Sequence, residues 1–300
     1  PVVRVPVRKR GRVVPAEDAQ VRAVCKRLRH QPRVVRVARP GDPKVAQVRV
    51  LLQRAHKLVG PAGRDELDVV VGYVPDPLDE QTKAPIKGVL HKYEGRVLVI
   101  TTAACAIHCR YCFRRHFPYD TFRVNKSDWQ NIVGYIRSKP DIREVILSGG
   151  DPLVANDKLL SWIAHQLASI DHVDTLRLHT RLPVVVPQRV CPELVEWISK
   201  TTLKVVVVIH ANHANEITQQ VTDAAHRLTR AGTILLNQSV LLKDINDDVD
   251  TLSDLSRRLF HAGVLPYYLH LLDPVTVSYT HLRAHETKAI SYAVFCLKKK

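Results

Sequence analysis

The sequence predicts an α/β chain wound into a partial (β/α)6 barrel of the TIM type. Three observations predict it. Six short runs rich in Val, Ile and Leu lie between residues 97 and 271. After a longer first gap they recur about every thirty residues, the length of one βα unit with its helical crossover. Each run also ends on polar groups, and the C-terminal strand ends are where parallel barrels gather their reacting residues on one face.

The elements follow in order. Strands are expected at 97–101, 144–148, 174–178, 204–209, 233–237 and 266–271, because these are brief apolar stretches of the kind buried on both faces. Amphipathic helical patterns fill the gaps at 127–138, 156–169, 192–199, 215–231 and 249–262, with Asn156, Asn215 and Thr251 as cap or first-turn residues. The strand ends carry, in turn, a cysteine loop, Ser148-Gly149-Gly150-Asp151, His179 with Arg181, His210, Gln238 and Asp273. A single His or Gln at a strand end is most simply structural. Six polar ends in succession are better explained by a shared site. Gly149 and Gly150 read either as a place where a ligand nears the backbone or as a tight turn.

The cysteine loop is Cys105-Ala106-Ile107-His108-Cys109-Arg110-Tyr111-Cys112, a C-x3-C-x2-C spacing directly after the first strand. Three thiolates on one short loop can hold three irons of a [4Fe-4S] cluster and leave the fourth open to a small molecule. A structural zinc site with His108 or His116 as fourth ligand is the competing reading. Zinc sites more often pair two separated C-x-x-C units, and only one occurs here. A disulfide reading is weaker, because no signal segment precedes the loop and the composition is that of a reduced, cytoplasmic enzyme.

The formal charge of +16 is unevenly placed. Residues 1–64 hold 17 Lys and Arg against three acids, residues 277–300 hold five against one, and residues 65–276 hold 23 against 25, a net of −2. A basic arm for nucleic acid interleaves stacking residues, yet half of the first fifty residues are Val or Arg and the first aromatic is Tyr73. The basic segment 1–64 is therefore expected to be partly non-native or without fixed structure, and no specific nucleic-acid partner is expected. The run from Val277 to Thr287 resembles translated sequencing-adaptor DNA, so 276–300 is set aside as a non-native tail. No run of 18 apolar residues suggests a membrane span. What remains is a lead-in, 65–96, and a barrel, 97–275.

Motifs beyond the cysteines sharpen the reading. The spacing C-x3-C-x2-C after a strand resembles the radical S-adenosylmethionine (SAM) superfamily, in which the open iron chelates SAM. Leu90-His91-Lys92-Tyr93-Glu94-Gly95-Arg96, Cys112-Phe113-Arg114-Arg115-His116-Phe117-Pro118-Tyr119, Ser148-Gly149-Gly150-Asp151-Pro152 and His210-Ala211-Asn212-His213-Ala214-Asn215-Glu216 resemble the lysine 2,3-aminomutase family, as do Leu236-Asn237-Gln238-Ser239 and Tyr267-Tyr268-Leu269-His270-Leu271-Leu272-Asp273. The phrase Cys-Arg-Tyr-Cys-Phe-Arg-Arg-His-Phe-Pro-Tyr is most similar to the branch that makes β-lysine for modifying elongation factor P. The likeness covers about residues 74–275.

The resemblance implies three cofactors: a [4Fe-4S] cluster on Cys105, Cys109 and Cys112; SAM lined by Ser148, Gly149, Gly150, Asp151, His210 and Gln238; and pyridoxal 5′-phosphate (PLP), its phosphate met by Tyr93 and Arg96. It further implies Arg114 on the substrate carboxylate and Asp273 on the far ammonium of L-lysine. An electron donor for the cluster is implied as a partner, and self-association is left open. A related aminomutase acting on glutamate, a zinc-stabilised nucleic-acid module and a non-catalytic barrel are the alternatives. The family's PLP-holding lysine finds no matching position, because the family pattern stops near Val275.

Overall fold

A computed structural model describes residues 74–273, apart from 123, together with Val275 and the backbone of Tyr292–Ala293. The segment 1–64 and nearly all of the tail from 276 lie outside the described residues. An eight-stranded sheet runs in chain order: β1 (Val89–Tyr93), β2 (Arg96–Thr102), β3 (Glu144–Gly149), β4 (Thr175–Thr180), β5 (Lys204–His210), β6 (Ile234–Val240), β7 (Leu265–His270) and β8 (Tyr292–Ala293). The six strands β2 to β7 pair in parallel, and β1 and β8 add antiparallel at the two edges. This is the expected partial barrel, with each parallel strand within three residues of its predicted bounds.

The crossover helices are α1 (Lys126–Arg137), α2 (Asp157–Ala168), α3 (Pro192–Lys200), α4 (Gln219–Arg230) and α5 (Val249–His261). Their starts follow ordinary capping chemistry. Asn125 and Asp128 cap α1 reciprocally, and Asn156 accepts the Leu159 N–H at 2.9 Å at the head of α2. Two starts differ from the sequence reading. The helix expected over 215–231 is broken: Ala214–Glu216 forms a separate 3-10 turn and Thr218 caps α4. At α5 the cap is Asp248, which accepts the Thr251 N–H at 2.8 Å. The antiparallel β1, inside the lead-in, was not foreseen; a two-residue turn returns it to β2, with Gly95 at φ 76°.

The main core lies between sheet and helices. On β4, Leu176 and Leu178 point into it, while Arg177 and His179 alternate onto the other face. A smaller cluster, Leu90, Ile100 and Phe117 with Tyr119 and Phe122, covers that other face beside the cysteine loop. Among the described residues no helix is long and apolar enough to cross a membrane.

The ladder between β2 and β3 extends past the strands and seats the cysteine loop. Gly150 N–H donates to Thr102 O at 2.6 Å and Asp151 N–H to Ala104 O at 2.9 Å. Both glycines are needed for this approach. Gly149 holds φ 114°, and a carbon added at Gly150 would sit 2.3 Å from Ala104 O. Gly150→Ala is therefore expected to destabilise the protein by about 1–3 kcal/mol. Gly134→Ala, in mid-α1 with nothing within 4 Å of the added carbon, is expected to stabilise it by about 0.5–1 kcal/mol. Urea unfolding of the two variants beside the parent checks both signs.

Candidate functional site

Cys105, Cys109 and Cys112 are free, half-buried thiols. The Cys112 N–H donates to Cys109 O at 3.1 Å, a turn that sets the last two close together. Burial pushes the Cys105 thiol up to about 12, followed by the Asp151 carboxylate, Cys112 and Cys109, with Arg114 opposing. Cys112 is raised as well, first by burial and then by Cys109. Such thiols ligate when an incoming cation displaces their protons.

The donor set fits a cluster. Three thiols stand within eight residues on one loop. A zinc ion needs every ligand within about 2.0–2.3 Å of one centre, whereas each iron of a cubane takes its own thiolate. Two buried polar atoms on the same rim, His179 Nε2 and Arg181 Nε, lack partners, as expected beside a ligand site.

The remaining strand ends divide by what already engages them. Asp151 is fully committed. Its Oδ1 accepts from Leu153 N (3.0 Å) and Thr180 Oγ1 (2.6 Å), and its Oδ2 from Arg181 N (2.7 Å) and Leu182 N (3.2 Å). The side chain thus staples the end of β3 to the end of β4. Of the two readings of Gly149 and Gly150 the close turn holds on their Cβ side, where Gly149 meets Ile100 and Thr102 at the end of β2 and Gly150 meets Ala103–Ala104, so what this segment offers a ligand is backbone. His210 and Gln238 pair across β5 and β6, the Gln238 amide donating to His210 Nε2 at 2.7 Å. That bond needs a neutral ring, and burial, reinforced by Arg181, His270 and Arg114, pushes His210 down to about 3. The edge of the His179 ring faces His210 at 6.3 Å, and His179 is held well below its ordinary value, first by burial and then by His210.

Arg114 is buried and already paired. Its Nε and Nη2 donate to the two carboxylate oxygens of Glu80 at 2.7 and 2.6 Å, and Nη1 donates to Ser148 Oγ at 3.0 Å. Asp273, half-buried beyond β7, is raised by burial and by Glu80. Glu80 therefore acts on both groups expected to grip the two ends of a substrate. Tyr93 and Arg96 lie elsewhere, at the β1–β2 turn, the N-terminal end of β2. Tyr93 is 60% exposed with the Arg96 guanidinium 5.9 Å from its ring, and Arg96 also reaches Glu144 at 3.9 Å. The length of β2 separates them from the cysteine loop.

The Radical SAM superfamily profile matches residues 99–255, from within β2 into α5. The chain belongs to the radical SAM superfamily. It is 46% identical over 236 residues to the L-lysine 2,3-aminomutase of Escherichia coli (strain K12), covering 79% of this chain and 65% of that one. It is 50% identical over 204 residues to the protein of that name from Haemophilus influenzae, covering 68% and 60%. To the Clostridium subterminale protein of that name it is 40% identical over 228 residues, covering 75% and 54%. This radical SAM chain thus spans less than two thirds of the length of each of these relatives.

Four residues of the site escaped the sequence reading as actors. Glu80 lay in the lead-in with no motif to single it out. Tyr111, Asn212 and Glu216 stood inside noted motifs, but nothing in a linear pattern tells that Arg181 bonds both Tyr111 and Glu216 and that Asn212 bonds the Tyr111 hydroxyl.

Two outcomes follow. Removing one partner of a buried ion pair strands the other, so Glu80→Ala is expected to cost about 3–5 kcal/mol, and the apolar double variant Glu80→Leu, Arg114→Met to recover most of it; unfolding midpoints check this. Because folding lowers the His210 pKa from an ordinary value near 6.5, its contribution is present above about pH 6.5 and is lost as pH falls toward 3. His210→Gln is therefore expected to shrink the loss of stability between pH 7 and pH 5 by about 2 kcal/mol, measured by urea unfolding at both values.

Proposed function

We propose that this radical SAM chain is the barrel of a PLP-dependent L-lysine 2,3-aminomutase making β-lysine. The observation that carries the reading is the coincidence, on one rim, of a three-cysteine loop and a ring of polar strand ends in a chain 40–50% identical to three proteins named for that activity. When bound, the cluster and SAM supply one-electron radical chemistry and PLP supplies electron delocalisation at the substrate nitrogen.

The chain's own residues do the holding. Cys105, Cys109 and Cys112 present thiolates to the cluster and leave one iron for SAM. The Ser148–Asp151 backbone, His210 and Gln238 line the SAM side, with His210 kept neutral by its burial and accepting from Gln238. Tyr93 and Arg96, at the far end of β2 from the cysteines, offer a hydroxyl and a cation to the PLP phosphate. Arg114 directs N–H groups at the substrate carboxylate, fixing the carbon to be attacked; orientation of this kind can contribute several kcal/mol. Asp273 accepts from the far ammonium and so measures chain length and charge. An anion at that end disfavours glutamate, whose side-chain carboxylate it would repel.

The partners follow from the same reading: L-lysine as substrate, a low-potential electron donor for the cluster, and the elongation factor P modification route for the product. The last is supported by the Cys109–Tyr119 phrase.

Anaerobic reconstitution tests the proposal. The expected result is about four irons per chain and SAM cleavage on reduction. Tight binding of a single zinc without cleavage overturns it. Asp273→Asn is expected to weaken lysine binding by roughly 1.5–3 kcal/mol while leaving SAM binding intact, measured by calorimetry. Tighter binding of glutamate than of lysine by the parent would refute the substrate.

A further inference from the structure

Arg181 is a buried cation on the rim with three side-chain hydrogen bonds. It follows β4, is 6% exposed, and its backbone is fixed by Asp151. Its Nη1 donates to Cys109 Sγ at 3.2 Å and to the Tyr111 hydroxyl oxygen, and its Nη2 donates to Glu216 Oε2 at 2.9 Å. The partners are themselves held. Asn212 Nδ2 donates to the Tyr111 oxygen at 2.8 Å, and Glu216 Oε1 accepts the backbone N–H groups of Asn212 (2.7 Å) and His213 (3.1 Å). Loops after β2, β4 and β5 therefore converge to aim one guanidinium at one cysteine sulfur.

Resting on the proposal that this loop carries the cluster, we infer that Arg181 is a positioning residue that eases one-electron reduction by holding a cationic N–H against Cys109. A guanidinium does not lose its proton in a protein, so the field it exerts is permanent. Glu216 supplies the countercharge on the side away from the sulfur, which makes the pair a dipole with its positive end on the ligand. One electron from a low-potential donor adds one negative charge to the cluster and its thiolates. A hydrogen bond to a ligating sulfur stabilises that added charge and is one of the means by which a protein sets cluster potential. A role confined to stapling the three loops would hold the ligand in place without moving the potential in a charge-dependent direction.

The test is a redox titration of the anaerobically reconstituted full chain, with dithionite and mediators, followed by visible absorbance and electron paramagnetic resonance. Arg181→Gln is expected to shift the equilibrium at least tenfold toward the oxidised cluster, which for one electron is 59 mV. Arg181→Lys, which keeps the charge and loses the fork, falls between. Glu216→Gln leaves the guanidinium without its countercharge and is expected to shift the equilibrium the other way. That second sign still decides the matter if Arg181→Gln fails to hold iron. Unchanged potentials in clusters of full iron content, or shifts of the same sign in the Arg181→Gln and Glu216→Gln variants, would overturn the inference. A parent that takes up no iron–sulfur cluster would instead overturn the proposed function.

Discussion

A carboxylate with four donors around it holds this site together. Asp151 accepts from its own 3-10 turn and from three groups at the end of β4, while its backbone N–H binds the cysteine loop. Three strand ends are thus tied through one residue. The glycines before it make the tie possible, because a side chain at Gly149 would meet the end of β2 and one at Gly150 the backbone of Ala103–Ala104. A buried carboxylate is costly to hold without partners, and here the partners are fixed main-chain groups and one threonine. The cysteines, Arg181 and the Ser148 that receives Arg114 all take their positions from this junction.

Charge is distributed on the same principle. The barrel carries nearly equal numbers of acids and bases, and several of them are spent in buried pairs: Arg114 with Glu80, Arg181 with Glu216, Arg177 with Glu144 and Arg189 with Asp157. Each cation is oriented by a carboxylate brought from another part of the chain. Pairs of this kind contribute little net stability compared with apolar packing, but they fix geometry, and three of the four border the inner face or the rim. The neutral histidines fit the same environment, since His179, His210 and His270 are all lowered first by burial.

Much of this architecture was legible in the sequence, and the reason is periodicity. Runs such as Lys204–His210 and Glu144–Gly149 are short and β-branched, and regular spacing with amphipathic gaps left few ways to arrange them. The strand-end residues could be read because barrel topology places every such end on one face. Local competition blurred the edges: Asn215 looks like a cap, but the turn at Ala214–Glu216 uses it and Thr218 caps α4 instead. What the sequence could not disclose were pairings of distant residues. Arg114 and Glu80 stand 34 residues apart, and Arg181 and Cys109 stand 72 apart. No period links them. That Tyr93 and Arg96 lie at the opposite end of β2 from the cysteines was by contrast already implied by the strand expected at 97–101.

The Arg114–Glu80 pair bears on how an acid is recognised. A guanidinium has five N–H donors; Glu80 takes two and Ser148 one, which leaves one on each terminal nitrogen. A free arginine reaching for a ligand must first surrender the rotamer freedom of a long side chain, on the order of 2 kcal/mol. Here that loss belongs to folding, and the unused donors stand ready in a defined plane. The side chain behaves less like a flexible tether than like a fixed fixture, set before any guest arrives.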